Sequence, residues 1–169
     1  PRAYGDTHDV ALSLLAGAPP CRVVDLGAGR GNLSTRLAAL GHDVTAVERY
    51  TQQFRADVPL IDADLERPLP FADGSFDAVT VAFGVRNYED LDRGLREMLR
   101  VLRPGGRLFV LEFSKPQHTP MRQLFRFYFH RVMPLVGRLV SKDSAAYTYL
   151  PQSVDAFPEG DRFLDLLTK

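Results

Sequence analysis

The sequence holds a single cysteine, Cys21, in 169 residues. No intramolecular disulfide can form, and the chain suits a reducing cytoplasm rather than a disulfide-stapled secreted scaffold. Cys21 opens an apolar run and reads as a packing residue. Net charge is also absent, since Lys+Arg and Asp+Glu both total 21. A chain without positive excess does not bind nucleic acid by bulk electrostatics. No apolar run reaches the roughly 20 residues of a membrane-spanning helix. Pro1–Gly17 lacks the basic start and cleavage pattern of a signal peptide. There is no internal repeat or low-complexity segment, and no metal site is read. One absence is local: between Phe113 and Ser141 there is no Asp or Glu, while Lys115, Arg122, Arg126, Arg131 and Arg138 are all basic.

What is present is a core. Hydrophobic residues make up 45% of the chain, enough for one domain over residues 1–169. Its organising stretch is Val23-Val24-Asp25-Leu26-Gly27-Ala28-Gly29-Arg30-Gly31-Asn32. This reads as a buried strand, a glycine turn and a helix capped by Asn32. Glycine takes positive φ and has no Cβ, so a ligand approaches the backbone closely, beside the free N–H groups of a helix start. Asn32 stands where G-x-G-x-x-G needs its last glycine, so the dinucleotide fingerprint is not met. An acid, Asp25, before G-x-G-x-G suits S-adenosylmethionine, whose amino-acid end carries charges and which has no pyrophosphate. Another nucleotide, or a plain strand–turn–helix corner, stays open from this stretch alone.

Taken in order, Pro1–Gly17 is weakly helical, with Val10, Leu12, Leu14 and Leu15 as its apolar face and His8 on the surface or against a lid. Strand one is Cys21–Leu26, followed by a helix over Asn32–Leu40 with Leu33, Leu37 and Leu40 on one face. Strand two, Asp43–Glu48, ends in an acid on the side where open α/β sheets bind ligands. There Glu48 can accept both hydroxyls of a ribose, or simply face solvent. Tyr50–Val58 is short for a crossover, which normally takes a dozen or more residues. Strand three lies near Val58–Ala63, and Asp64-Leu65 after it can meet an adenine edge or cap a loop. Strand four is Phe76–Phe83. Glu89–Leu102 is a helix with Leu91, Leu95, Met98, Leu99 and Leu102 on one face, stopped by Arg103-Pro104-Gly105-Gly106. Strand five is Arg107–Phe113. The acid-free stretch Thr119–Val140 repeats apolar residues at helical spacing, broken near Pro134 and Gly137. It suits a membrane interface, a greasy entrance, or ordinary packing on the sheet. Asp161–Lys169 is a last helix.

The residues Phe83-Gly84-Val85-Arg86-Asn87, Arg100-Val101-Leu102-Arg103-Pro104-Gly105-Gly106-Arg107-Leu108, Val110-Leu111-Glu112-Phe113-Ser114-Lys115-Pro116 and Tyr147-Thr148-Tyr149-Leu150 make the chain similar to the ubiquinone/menaquinone biosynthesis C-methyltransferases. The stretch from Leu102 to Gly106 is common to many methyltransferases, whereas Phe-Gly-x-Arg-Asn and Leu-Glu-Phe-Ser-Lys-Pro are specific to the quinone family. The resemblance covers roughly residues 21 to 158. It implies an α/β, doubly wound, Rossmann-like sheet, mainly parallel, with five strands in the order 3-2-1-4-5. The family's last two strands are unaccounted for. Whether the chain is a shortened member or truncated at both ends stays open.

The resemblance also implies a site. Asp25, Gly27, Ala28, Gly29, Arg30 and Gly31 would hold the methionine end of S-adenosylmethionine. Glu48, with Arg49 beside it, would hold the ribose, and Asp64 and Leu65 the adenine. Ala82 and Phe83 would complete the cofactor set, Ala82 standing where many members have serine. Arg86 and Asn87 would face the ring of a lipophilic quinol, Arg86 as phenolate stabiliser and Asn87 as orienter of a ring oxygen. No general base stands out; His130, Glu112 and Tyr149 are candidates. Departures from the family are the reduced N-terminal segment, Arg30 in place of Thr or Ser, and the short second crossover. The expected activity is C-methylation of demethylmenaquinol or a demethylated ubiquinol precursor by a cytoplasmic enzyme, peripheral to the membrane through residues 119–140. A small soluble acceptor, a non-catalytic S-adenosylmethionine-binding module and an NAD-binding domain are the alternatives. The sequence sets no oligomeric state, and a dimer is open.

Overall fold

A computed structural model of the chain describes residues 2–112, 116, 118–132, 153–154, 157–158 and 160–167. It divides into two units, Pro1–Glu112 and Phe113–Lys169.

The first unit is a five-stranded sheet in the order β3-β2-β1-β4-β5, as the sequence implies. The strands are β1 (Arg22–Leu26), β2 (Asp43–Val47), β3 (Leu60–Ile61), β4 (Phe76–Ala82) and β5 (Leu102–Leu111). Every pairing is parallel. Val23, Val24 and Leu26 of β1 are wholly buried, as are Val79 and Val81 of β4. Central parallel strands are covered on both faces, so they read as continuous apolar runs. Helices α1 (Arg2–Ala16), α2 (Asn32–Ala39) and α3 (Leu91–Val101) flank the sheet in sequence. A core of Leu12, Leu15, Val23, Leu33, Leu37, Val44 and Ala78 joins α1 and α2 to it.

Several expectations need correction. On α1 the buried face is Ala11, Leu12 and Leu15, while Val10 and Leu14 are more than half exposed. Positions 10 and 14 are one turn apart and share the outer face. On α3, Leu95, Met98 and Val101 are buried, spaced three residues apart, and Leu99 falls to one side of that stripe and is exposed. Leu40 is exposed at the end of α2. Asn32 is not the cap of α2: Gly31 takes that place at φ 82°, with no side-chain cap bond, and Asn32 is the first helical residue. The short crossover holds one 3-10 turn, Thr51–Gln53. Leu102-Arg103-Pro104-Gly105-Gly106 does not form a turn between helix and strand. β5 begins at Leu102, directly after α3. Phe76 pairs with Leu102 and Ala78 with Arg107, so Arg103–Gly106 bulges out of register. A bulge accommodates both proline and a positive-φ glycine, here Gly105 at 78°. Strand ends otherwise match the sequence reading or differ from it by one or two residues.

The second unit contains α4 (Met121–Phe127), a π-helical turn at Tyr128–Val132, and a helix over Asp161–Leu167. The Phe125 and Phe129 rings stack at 4.2 Å between centroids, and Phe157 lies 5.4 Å from Phe163. Met121, Leu124, Phe127 and Tyr128 are exposed. The predicted break at Pro134 and Gly137, and Tyr147–Leu150, lie outside the described residues. Among the described residues no helix is long and apolar enough to cross a membrane.

Candidate functional site

The carboxyl ends of β1, β2, β3 and β4 converge on two neighbouring clefts of the first unit. The loop after β1 alternates left-handed glycines, Gly27 at 66°, Gly29 at 57° and Gly31 at 82°. Gly27 and Ala28 both donate their N–H to Val47 O, at 2.9 and 3.1 Å, which ties the loop to β2. Gly31 N–H closes a turn on Ala28 O at 2.8 Å. The sequence reading left these donors to a ligand; the fold uses several of them to shape the loop. Arg30 contributes its carbonyl to Arg55 N–H at 3.1 Å.

Glu48 follows β2 and holds that loop. Its Oε2 accepts the Gly29 N–H at 2.8 Å and its Oε1 accepts the Tyr50 N–H at 2.8 Å. Each carboxylate oxygen has a second lone pair, so neither bond exhausts its capacity to accept a hydroxyl. After β3, Asp64 accepts Arg49 Nη1 on one oxygen at 3.0 Å and the Glu66 N–H on the other at 3.1 Å. It is therefore a turn-forming acid as well as a cleft acid, and Arg49 is its ion-pair partner. Leu65 approaches Gly27, where a Cβ would meet its Cδ1 at 3.7 Å.

The larger cleft, about 450 Å³, is lined by Glu48, Arg49, Asp64, Leu65, Phe83 and Asn87, among others. The smaller, about 280 Å³, is lined by Asp25, Gly29, Arg30, Phe83 and His8. Gly27, Ala82 and Phe83 are common to both. Phe83 holds φ 58°, a left-handed backbone unusual for an aromatic residue, with its N–H on Leu111 O at 2.8 Å. Strain of this kind concentrates where a chain must turn sharply at a functional edge.

Asp25 is 2% exposed beneath the loop. Ser34 Oγ donates to one of its oxygens at 2.6 Å and Thr80 Oγ1 to the other at 2.8 Å. Burial pushes its carboxyl up to about 6, only partly countered by these two hydroxyls. Arg86 and Asn87 form a 3-10 turn just beyond β4. Asn87 lines the larger cleft and its N–H bonds Gly84 O at 3.0 Å. Arg86 Nη1 forms an ion pair with Glu112 Oε1, both side chains nearly buried.

His8, read from the sequence as a surface residue or a lid contact, reaches the smaller cleft from α1, half-buried, with its imidazole held below the ordinary range by burial and by Arg36. Two features were not read from the sequence. Tyr88 walls the larger cleft, its hydroxyl pushed up by burial and by Glu66. The Arg86–Glu112 pair joins residues 26 apart in sequence. Of the candidate bases, Tyr149 lies outside the described residues, as does the side chain of His130, and Glu112 is engaged with Arg86.

The residues fit the group that the sequence implies. A strand-end carboxylate keeps lone pairs for paired hydroxyls, and a buried acid opens on the adjoining cleft, where it suits an ammonium. The two clefts adjoin at Gly27, Ala82 and Phe83, as a nucleoside with an amino-acid tail requires.

Comparison with known proteins places the chain among its relatives. A demethylmenaquinone methyltransferase of Bacteroides fragilis is 52% identical over 101 residues, 60% of this chain and 41% of that protein. Another, of Thermus thermophilus, is 43% identical over 160 residues, 88% of this chain and 72% of that protein. The chain thus spans about two fifths of one curated relative and nearly three quarters of the other. The crystal structure of a putative methyltransferase from an antibiotic biosynthesis pathway of Anabaena variabilis superposes with a TM-score of 0.71 at 21% identity. It covers 96% of this chain and 59% of that one, and carries the fold alone. The profile of the ubiE/COQ5 methyltransferase family matches residues 8–169, from the cleft histidine of α1 through both units, and the chain belongs to that family.

Proposed function

We propose that the chain acts as an S-adenosylmethionine-dependent C-methyltransferase on a polyprenylated quinol, either demethylmenaquinol or a demethylated ubiquinol precursor. The observation that carries this reading is the Glu48–Gly29 bond, which joins the strand-end acid to the glycine loop at 2.8 Å beside two adjoining clefts. Family membership supports it.

In this reading the smaller cleft takes the amino-acid end. Asp25 pairs with the ammonium, and the Gly27–Gly31 loop, with Ala28 and Arg30, surrounds it. The larger cleft takes the nucleoside. Glu48 accepts the ribose hydroxyls, Arg49 and Asp64 open from each other toward the adenine, and Leu65 packs on the ring. Ala82 and Phe83 border both compartments. When bound, S-adenosylmethionine supplies an electrophilic methyl on a sulfonium. The protein's task is alignment and charge. Holding the acceptor carbon in line is a proximity effect worth several kcal/mol. Asn87 orients a ring oxygen from the cleft wall. Arg86, a permanent cation, stabilises the phenolate that makes the ring carbon electron-rich. Phe83, held in its left-handed turn, excludes water between the two compartments.

The acid-free segment 119–140 is the proposed contact with the membrane that stores such quinols. Exposed Met121, Leu124 and Phe127 with Arg122 and Arg126 on α4 support it.

The test is methyl transfer from labelled S-adenosylmethionine to each demethylated quinol under reducing conditions. Product from one names the ring. A folded chain that binds S-adenosylhomocysteine and methylates neither refutes the acceptor. Flotation with anionic vesicles, lost on Arg122→Glu and Arg126→Glu together, tests the membrane contact.

A further inference from the structure

A nearly buried guanidinium is costly unless a counter-charge sits beside it. For Arg86 that charge comes from the neighbouring strand. β4 and β5 pair with Ala82 opposite Leu111, so Glu112 leaves β5 level with the turn that carries Arg86. Glu112 Oε1 meets Arg86 Nη1, and Oε2 lies 3.5 Å from the Arg86 backbone N. The two side chains are 12% and 6% exposed, the most buried ion pair among the described residues. The other pairs have at least one partner far more open, such as Arg49–Asp64 at 59% and 26%. Gly84 and Asn87, on either side of the Val85-Arg86 step, line the larger cleft. The turn that carries Arg86 therefore borders the cleft, while Arg86 and Glu112 are not themselves among its lining residues, and their burial is a setting that screens charge poorly.

We propose that Glu112 is the positioning and charge-balancing partner of Arg86. It holds the guanidinium under the turn that borders the cleft and keeps the pair neutral toward a cationic methyl donor. This rests on the reading that S-adenosylmethionine binds here and that Arg86 serves a quinol oxygen. An unbalanced Arg86 would repel a sulfonium, and an unbalanced Glu112 would attract it. The demethylated product is a neutral thioether of nearly the same shape. The ratio of the two affinities therefore reports the net charge of the pair and little else.

The test is calorimetric titration of the full chain with S-adenosylmethionine and with S-adenosylhomocysteine. Glu112→Gln should raise the ratio of the two dissociation constants, donor over product, roughly fivefold, the scale of one partly screened unit charge. Arg86→Gln should lower it by a similar factor. The double variant and Glu112→Asp should stay near wild type. Under steady-state turnover, Glu112→Gln should lower kcat more than it raises the quinol KM, and Glu112→Asp should restore part of the loss. A ratio unmoved by either single change, or moved in the same direction by both, overturns the proposal. Should Glu112→Gln fail to fold, Arg86→Gln and Glu112→Asp still decide it. The ratio is read without acceptor, so absence of quinol methylation in wild type would count against the acceptor and not against the charge balance. A wild-type chain that binds neither ligand overturns both.

Discussion

Replacing Gly31 by alanine tests the loop where geometry is tightest. Gly31 stands at the head of α2 with φ 82°. A Cβ built there would lie 2.6 Å from Ala56 Cβ, 2.9 Å from Phe54 Cε2 and 3.2 Å from Ala56 N. The left-handed backbone costs an L-residue about 1–2 kcal/mol. Overpacking adds about 1–3 kcal/mol, because the Ala56 methyl and backbone cannot swing away as a long side chain would. The sum, about 2–5 kcal/mol, lowers the melting temperature by about 5–15 °C in a chain of this size. Gly29 is the internal control. Its φ is 57°, but nothing lies within 4 Å of its Cβ position, so Gly29→Ala meets only the backbone term of about 1–2 kcal/mol. Thermal denaturation followed by circular dichroism compares the two variants directly. If Gly31→Ala melts within about 2 °C of Gly29→Ala, the steric term is absent and the packing of Ala56 against the loop is wrong.

Three further outcomes follow from the same geometry. Asp25 has its carboxyl raised by burial from the ordinary aspartate range near 4 to about 6. The folded state therefore favours the protonated acid. The stability this gives is fully present below about pH 4 and lost as pH rises through about 6, a change on the order of 3 kcal/mol. Urea midpoints measured from pH 4 to 7 should show wild type declining relative to Asp25→Asn, and parallel curves would refute the burial account. Arg100 binds Glu97, Asp73 Oδ1, Leu69 O and Phe71 O within 2.8–3.0 Å, fastening the 69–73 loop to α3. Arg100→Met should cost about 1–3 kcal/mol, since Leu69 O and Phe71 O lose a charged donor; a loss below the error of a urea titration refutes it. Glu48→Gln should weaken S-adenosylhomocysteine about tenfold or more, whereas Arg49→Met should change it by less than about fivefold, because an exposed ion pair contributes little. Equal effects in calorimetry would remove Glu48 from its special place.

Much of this candidate site was legible because its residues lie at or just past the carboxyl ends of strands. Parallel strands end on one edge. Asp25, Glu48, Asp64 and Asn87 were therefore brought together once the order 3-2-1-4-5 was in hand. What escaped the sequence escaped for identifiable reasons. Local periodicity gives the spacing of a helical face but not which of two adjacent apolar residues points inward, hence Leu99 beside Met98 and Leu14 beside Leu15. Pro104-Gly105-Gly106 reads as a stop, yet a bulge lets an edge strand carry both residue types. No side-chain signal announces a phenylalanine at positive φ. The Arg86–Glu112 pair needs the register of β4 on β5, a relation between residues that the chain places 26 apart.

These polar groups are not waiting with open hands. Glu48 holds the loop through Gly29, Asp64 holds Arg49, and Glu112 holds Arg86. Each partner is itself a residue proposed to meet cofactor or substrate. Ligand binding at such a site exchanges hydrogen bonds rather than creating them, so the net gain per contact is small even where the contacts are many. The gain comes instead from order. A loop already bent by three left-handed glycines and already fastened to Val47 and Glu48 loses little conformational freedom when a ligand arrives. The same bonds that look like competitors for the ligand therefore hold the site in shape. Removing Glu48 would consequently harm binding twice, once through the lost ribose acceptor and once through the freed loop, while removing Arg49 would release Asp64 and cost only a screened contact.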